Sequence, residues 1–266
     1  MSKEYRVKKA YKIDVVDPDQ PLLEQMDGCF WPPFEDEVHS SYDLSGWNLR
    51  FFGDCQDDEY GLLNYASYHT DIYKTESYPQ YRGKRKQWEE DTRYMWLRIA
   101  DIVTNAHVDI GDDSTCCFST LNFDIRIYKF IPRVTDSIKS LILAMHQETQ
   151  EQLNYDTWFC PESVDEITST TIKQREWLRI IDGNREHNWN FNFYHMLDEH
   201  HALSICYEPS EVWPPMHEPS EKALKVIMMP FWDFMDNLSL TPPSQERFEI
   251  GRSETEKEQA SDDFSW

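Results

Sequence analysis

The chain has 266 residues and a formal net charge of −23, from 49 acidic against 26 basic side chains. Hydrophobic residues make up 39% and aromatics 14%, too many for a disordered chain and enough for one sizeable core or two small ones. A field of this sign repels nucleic acid and anionic membrane, so direct nucleic-acid binding is disfavoured and a basic partner favoured.

The six cysteines (29, 55, 116, 117, 160 and 206) include no Cys-x-x-Cys pair, which argues against a zinc ribbon. The charged first residues lack the apolar core of a signal peptide. No run of about 18 apolar residues offers a membrane span. The expectation is reduced thiols in a cytoplasmic protein.

Taken in order, Tyr5, Val7, Tyr11, Ile13 and Val15 alternate and predict an opening strand over 4–16, with Arg6, Lys8 and Lys12 on its polar face. A short helix follows from Pro21 to Asp27, stopped by Gly28. Cys29-Phe-Trp-Pro-Pro-Phe34 and Val212-Trp-Pro-Pro-Met216 read as rigid loops whose tryptophans cover the core. The densest acidic region, 35–60, holds Glu35, Asp36, Glu37, Asp43, Asp54, Asp57, Asp58 and Glu59 against Arg50 alone. Within it Trp47 to Phe52 reads as a strand.

Trp88, Thr92, Met95, Ile99, Ile102, Val103 and Ala106 stand at helical spacing and predict a helix over 84–106. Arg82, Lys84, Arg85 and Lys86 near its start form a basic island, read as internal salt-bridge or self-association partners. Phe118 to Phe130 reads as a strand with Leu121, Phe123, Ile125 and Ile127 alternating. Its phase then slips to Tyr128 and Phe130, the mark of a bulge or a strand end. A helix capped by Thr135 or Asp136 runs to Leu153, turning Ile138, Leu141, Ile142 and Met145 inward. Another helix covers Gln174 to Ile181, stopped by Gly183-Asn184.

The stretch from His187 to Tyr207 is an aromatic hairpin at the sheet centre. Trp189, Phe191 and Phe193 alternate with asparagines, Asp198-Glu-His-His201 turns, and Leu203, Ile205 and Tyr207 share a face of the return strand. Ser220 caps a helix through Ala223, Val226 and Ile227, which Pro230 kinks or ends, although Val226 to Phe231 also fits a buried strand. The aromatic run from Phe231 packs back on the core. From Thr241 on, acids outnumber bases up to Asp262-Asp-Phe-Ser-Trp266, a mobile acidic tail.

Four histidine-turn residues, His195, Asp198, His200 and His201, offer imidazole and carboxylate for zinc or iron. His107-Val-Asp109 has the spacing of two members of an iron facial triad. With eight glycines there is no Walker loop, no Gly-x-Gly-x-x-Gly and no Gly-x-Ser-x-Gly. Asp57-Asp58 and Asp112-Asp113 are carboxylate pairs of the kind chance produces among 49 acids.

These features predict an α+β fold: a single domain over 1–240 with a largely antiparallel central sheet, packed by two or three amphipathic helices near 84–106 and 134–153, and a flexible acidic tail over 241–266. The expected function is that of an inhibitor or adaptor, with a phage protein acting in its host's cytoplasm as the expected setting. It engages a basic nucleic-acid-handling protein such as a nuclease or polymerase, by mimicry of the nucleic-acid backbone. Glu35, Asp36, Glu37, Asp54, Asp57, Asp58 and Glu59 are the candidate contacts. No catalytic residue, cofactor or membrane partner is assigned, and a homodimer fits. The alternative is a zinc or iron enzyme using His195, Asp198, His200 and His201.

Overall fold

A computed structural model describes residues 12–13, 20, 22–29, 31, 39–52, 66–79, 93–110, 114–131, 137–153, 157–185, 188–210 and 220–243. In chain order they form β1 (Lys12–Ile13), α1 (Leu22–Gln25), β2 (His39–Leu44), β3 (Trp47–Phe52), β4 (His69–Thr70), β5 (Tyr94–Ile110), β6 (Ser114–Phe130), α2 (Ile138–Leu153), β7 (Trp158–Phe159), β8 (Thr168–Ile172), β9 (Arg175–Asn184), β10 (Asn188–Met196), β11 (His201–Ser210), α3 (Glu221–Ile227), α4 (Met229–Asn237) and β12 (Ser239–Thr241). The fold is mostly β-sheet with a few helices, broadly α+β. Among the described residues no helix is long and apolar enough to cross a membrane.

An eight-stranded sheet runs β1-β5-β6-β11-β10-β9-β7, with β8 beside β7 on the outer edge of β9. Its pairs are antiparallel except β1 with β5. A four-stranded sheet runs β12-β3-β2-β4. The β10–β11 hairpin lies at the centre of the larger sheet, as its aromatic alternation predicts. The predicted strand over 47–52 is β3.

Each face of the large sheet is covered by different elements. Phe123, Ile125, Phe193, Ile205 and Tyr207 share one core with α3, α4 and the small sheet. There Phe193 stacks on Phe231 at 4.3 Å, Phe123 meets Phe234 at 4.7 Å, and Tyr207 donates to the Ile227 carbonyl at 2.6 Å. On the opposite face Tyr128, Phe130, Ile180 and Tyr194 meet Leu141, Ile142 and Met145 of α2. The phase slip at Tyr128 is therefore no bulge, since β6 pairs with β11 without interruption from Thr120 to Lys129. It marks the point where α2 begins to cover the other face, just before the strand ends at Phe130.

Two predicted helices are strands. The stretch expected as a helix over 84–106 is described from residue 93, and from Tyr94 it is β5. Met95, Leu97 and Ile99 are buried in alternation, and then Ala100, Ile102, Ala106 and Val108 continue in the other phase. The pairing with β6 shifts between Arg98 and Ala100, so Ile99 is an inserted residue. Two period-2 runs joined out of phase at a bulge imitate a 3.6-residue period. The stretch Gln174 to Ile181 begins in the β8–β9 turn and from Arg175 is β9. Trp177 serves one core while Ile180 serves the other, and a strand buried on both faces loses its alternation.

The helices that remain obey local rules. The Ser137 hydroxyl accepts from the Ser140 amide at 3.1 Å and starts α2; Thr135 and Asp136, the expected caps, lie outside the described residues. Ser220 accepts from the Ala223 amide at 3.1 Å to start α3. Pro230 occupies the first turn of α4, where its missing N–H costs nothing, and so separates two helices. Val226 to Phe231 is thereby helical, and Phe231, Phe234 and Met235 pack back on the core. Of the predicted 4–16 strand only β1 is described. The predicted 21–27 helix is α1. The Val212-Trp-Pro-Pro phrase, the cations 82–86 and residues 244–266 lie outside the described residues.

Candidate functional site

On the α2 face the large sheet carries a row of polar groups where apolar ones would be ordinary. Asp182 of β9, Asn192 and Tyr194 of β10 and His146 of α2 are 4%, 6%, 2% and 6% exposed. His146 Nδ1 lies 2.5 Å from Asp182 Oδ2, and Nε2 lies 2.8 Å from the Tyr194 hydroxyl. Asn192 Nδ2 donates to the other Asp182 oxygen at 2.9 Å. Burial, with the nearby Tyr128 and Asp182, pushes the Tyr194 phenol well above its usual range. It therefore keeps its proton, and the network closes with Tyr194 donating to Nε2 and the Nδ1–H donating to Asp182.

A second cluster adjoins it across β11. Arg98 donates to Asp124 at 2.7 Å and to Asp101 at 3.4 Å, and Arg126 also pairs with Asp124. The Arg126 guanidinium lies 4.7 Å from the centre of the Trp96 ring. Cys206 stands on β11 opposite both Asn192 and Asp124. Burial first, then the charges of Asp182, Asp124 and Glu208, push its thiol well up. A thiol so placed stays protonated and is no nucleophile at neutral pH. Burial likewise pushes Cys29 up to about 12.

Carboxylate, imidazole and hydroxyl in sequence are the components of a general base. Here all three are sealed between α2 and the sheet, so a substrate reaches them only if α2 lifts. What the network does in place is fix α2 on the sheet in one register. One signal for it lies in the sequence: His146 follows Met145 on the face of α2 that carries Ile138, Leu141 and Ile142. The asparagines that alternate with the aromatics of β10 carry no sign that α2 covers their face, which hid the network.

The histidine turn brings together two of its four expected ligands. The Asp198 carboxylate receives the His200 amide at 2.7 Å, the His201 amide at 2.8 Å, and His201 Nδ1 at 2.9 Å from each oxygen. His201 is 4% exposed and its Nε2 is buried without a hydrogen-bond partner among the described residues. The Tyr73 ring lies 5.2 Å from its ring, perpendicular to it. His200 joins through its backbone alone among the described contacts. His195 turns elsewhere: Nδ1 donates to the Glu176 carbonyl at 2.8 Å, its ring lies 5.2 Å from Trp177, and burial holds its pKa below the usual value. Among the described residues no three His, Cys, Asp or Glu side chains form a group that could hold a metal ion.

Burial pushes the Asp198 carboxyl up, but the hydrogen bond and charge of His201 and the two amides outweigh it. The net pKa is lowered. A carboxyl with a depressed folded pKa stabilises the fold above its unfolded pKa, about 3.9, and the contribution disappears as pH falls through the folded value. Asp198→Ala is therefore expected to cost about 1–3 kcal/mol at pH 7. Urea unfolding near pH 7 and again near pH 2 checks this, and the gap between variant and wild type should shrink at the lower pH.

Of the expected partner-binding acids, Glu35, Asp36, Glu37, Asp54, Asp57, Asp58 and Glu59 all lie outside the described residues. His107 lies on β5, while the side chain of Asp109 is outside the description, as are Asp57-Asp58 and Asp112-Asp113. No protein-family model matches the chain, and neither a curated protein nor a solved structure matches it.

Proposed function

We propose that the chain is an acidic binding protein, one α+β domain over 1–240 with an acidic tail over 241–266. In this reading it inhibits or recruits a basic, nucleic-acid-handling protein. The observation that carries this reading is the net charge of −23, together with the engagement of several described cations within the fold. Lys129 donates to the Tyr73 carbonyl, Lys139 to Ile167, Lys173 to Asp236 and Leu238, and Arg175 to Leu240. Arg98 and Arg126 face Asp101 and Asp124, and Arg185 lies over the Phe159 ring. Other described cations, such as Arg93, Lys222 and Lys225, are exposed, but acids outnumber bases 49 to 26 and the net field is that of the carboxylates. Such a field steers a basic groove toward it and imitates spaced phosphates.

Glu35, Asp36, Glu37, Asp54, Asp57, Asp58 and Glu59 are the proposed contacts. The reading is tested by capturing nucleic-acid-binding proteins from host lysate at about 50 and 500 mM salt. The expected result is a basic partner retained at the lower salt and released at the higher, because exposed ion pairs are screened over that range. Asp57→Lys with Asp58→Lys should weaken capture on the order of tenfold or more.

A second reading, a zinc or iron enzyme centred on the histidine turn, is favoured by the unpartnered Nε2 of His201 beside Asp198. Stoichiometric zinc or iron in the purified chain, with no basic partner captured, would sink the acidic-binder reading in favour of this one.

A further inference from the structure

The β8–β9 turn, the end of α4 and β12 surround a half-open cavity of about 210 Å³. Ile172, Trp177, Met235 and Leu238 give it apolar walls, and Lys173 and Arg175 add two cations. Among the described residues no acidic side chain lines it, although acids outnumber bases 49 to 26 in the chain. Lys173 uses two of its three donors on the Asp236 and Leu238 carbonyls, and Arg175 gives Nη2 to the Leu240 carbonyl. The rest of the guanidinium fork and one ammonium hydrogen remain for a ligand. Trp177 is 1% exposed, and its Nε1–H has no hydrogen-bond partner among the described residues. The turn that presents Lys173 holds two non-glycine residues in the left-handed region, Lys173 at φ 50° and Gln174 at φ 63°. Both fit the two-residue turn that joins β8 to β9, in which Ile172 pairs with Arg175.

We propose that this cavity is the docking site of the chain's own segment Asp262-Asp-Phe-Ser-Trp266. An aromatic ring of the segment sits among Trp177, Met235 and Leu238, and its two aspartates pair with Lys173 and Arg175. Three observations choose this occupant. The segment joins adjacent carboxylates to aromatic rings, which complements a cationic rim around apolar walls. A cavity of about 150 Å³ accommodates one benzene ring, so this one takes the side chain of Phe264 or Trp266. Ser239 and Leu240 of β12 line the cavity, so the connection leaves from beside it. The eighteen residues from 244 to 261 span up to roughly 60 Å, ample for a return. Tethering at that length supplies an effective concentration on the order of millimolar, enough to occupy a weak site. The proposal is independent of the partner reading above.

The test uses the full chain and a fluorescein-labelled peptide of residues 258–266, followed by anisotropy at about 50 mM salt. Phe264→Ala with Trp266→Ala disarms the tethered segment without touching the cavity. This variant is expected to bind the peptide at least tenfold more tightly than wild type, whose cavity is already occupied. Lys173→Gln with Arg175→Gln, added to that variant, should abolish binding. Because those two cations also close carbonyls of α4 and β12, Ser239→Glu provides a second probe that leaves them in place. A carboxylate introduced there repels the peptide and should weaken binding tenfold or more. Equal peptide binding by wild type and the disarmed variant overturns the proposal, as does binding that Ser239→Glu leaves unchanged. Exclusion of the peptide from wild type only at concentrations where its mass doubles places the segment in a second copy, and overturns docking within one chain.

Discussion

Replacing Asp182 with alanine should lower the free energy of unfolding by about 3–5 kcal/mol, a large part of the stability of an ordinary domain. The carboxylate is the shared acceptor of the buried network: His146 Nδ1 reaches one oxygen and Asn192 Nδ2 the other. Its side chain is 5% exposed, and that of His146 7%. Removing it strands an imidazole N–H and an amide N–H where water does not replace the acceptor, and each orphaned donor costs about 1–3 kcal/mol. The loss should fall on α2, which this network ties to β9 and β10. Urea unfolding gives the magnitude, and hydrogen exchange should show the α2 amides losing protection before those of β10 and β11.

The chemistry of the loss separates an anchored helix from a merely crowded one. Tyr194→Phe removes only the donor to Nε2 and should cost about 1 kcal/mol. His146→Leu combined with Asp182→Leu, Asn192→Leu and Tyr194→Phe removes the whole polar set and fills its volume. That quadruple variant should be more stable than Asp182→Ala, since a fully apolar replacement leaves nothing unsatisfied. A cost below about 1 kcal/mol for Asp182→Ala would mean that apolar packing of Leu141, Ile142 and Met145 holds α2 alone.

Which elements were legible in the sequence follows from whether large apolar side chains stand on one face or on two. The β10–β11 hairpin was readable because Phe191, Phe193, Ile205 and Tyr207 fill one core while their neighbours are polar or small. The inward face of α2 and the Ser220 cap were readable because a helix end and a single apolar stripe are local signals. β5 and β9 misled for the opposite reason: their side chains are shared between two cores, and a bulge at Ile99 changed the phase. Periodicity carries no information about a second layer on the far side of a sheet. The candidate site was less legible than the fold. His146, Asp182 and Tyr194 stand far apart in the chain and meet only through strand register, whereas Asp198 and His201, three residues apart, were picked out together.

The bulge also makes possible the second large effect, which is expected at Asp124. Arg98 stands directly opposite Arg126 across β5 and β6, and Asp101 directly opposite Asp124. Like charges opposed across strands repel, so neither row is stable without the other. Because Ile99 is inserted, Asp101 comes to the same face as Arg98; in an unbulged pairing Ile99 would stand opposite Ile125 and Ala100 opposite Asp124, and the fourth charge would be missing. Asp124, whose side chain is 10% exposed, meets both guanidiniums. Asp124→Ala leaves two arginines facing one carboxylate, with an expected cost of about 3–5 kcal/mol in urea unfolding. Burial and the charge of Asp124 together hold the Asp101 pKa up, against the arginines, so in this variant the Asp101 carboxyl should titrate lower. Arg126→Met added to Asp124→Ala removes the surplus charge and keeps an apolar chain against Trp96, and should recover part of the loss. Strict additivity of the two substitutions would show instead that the four charges act separately, leaving the bulge at Ile99 without this electrostatic reason.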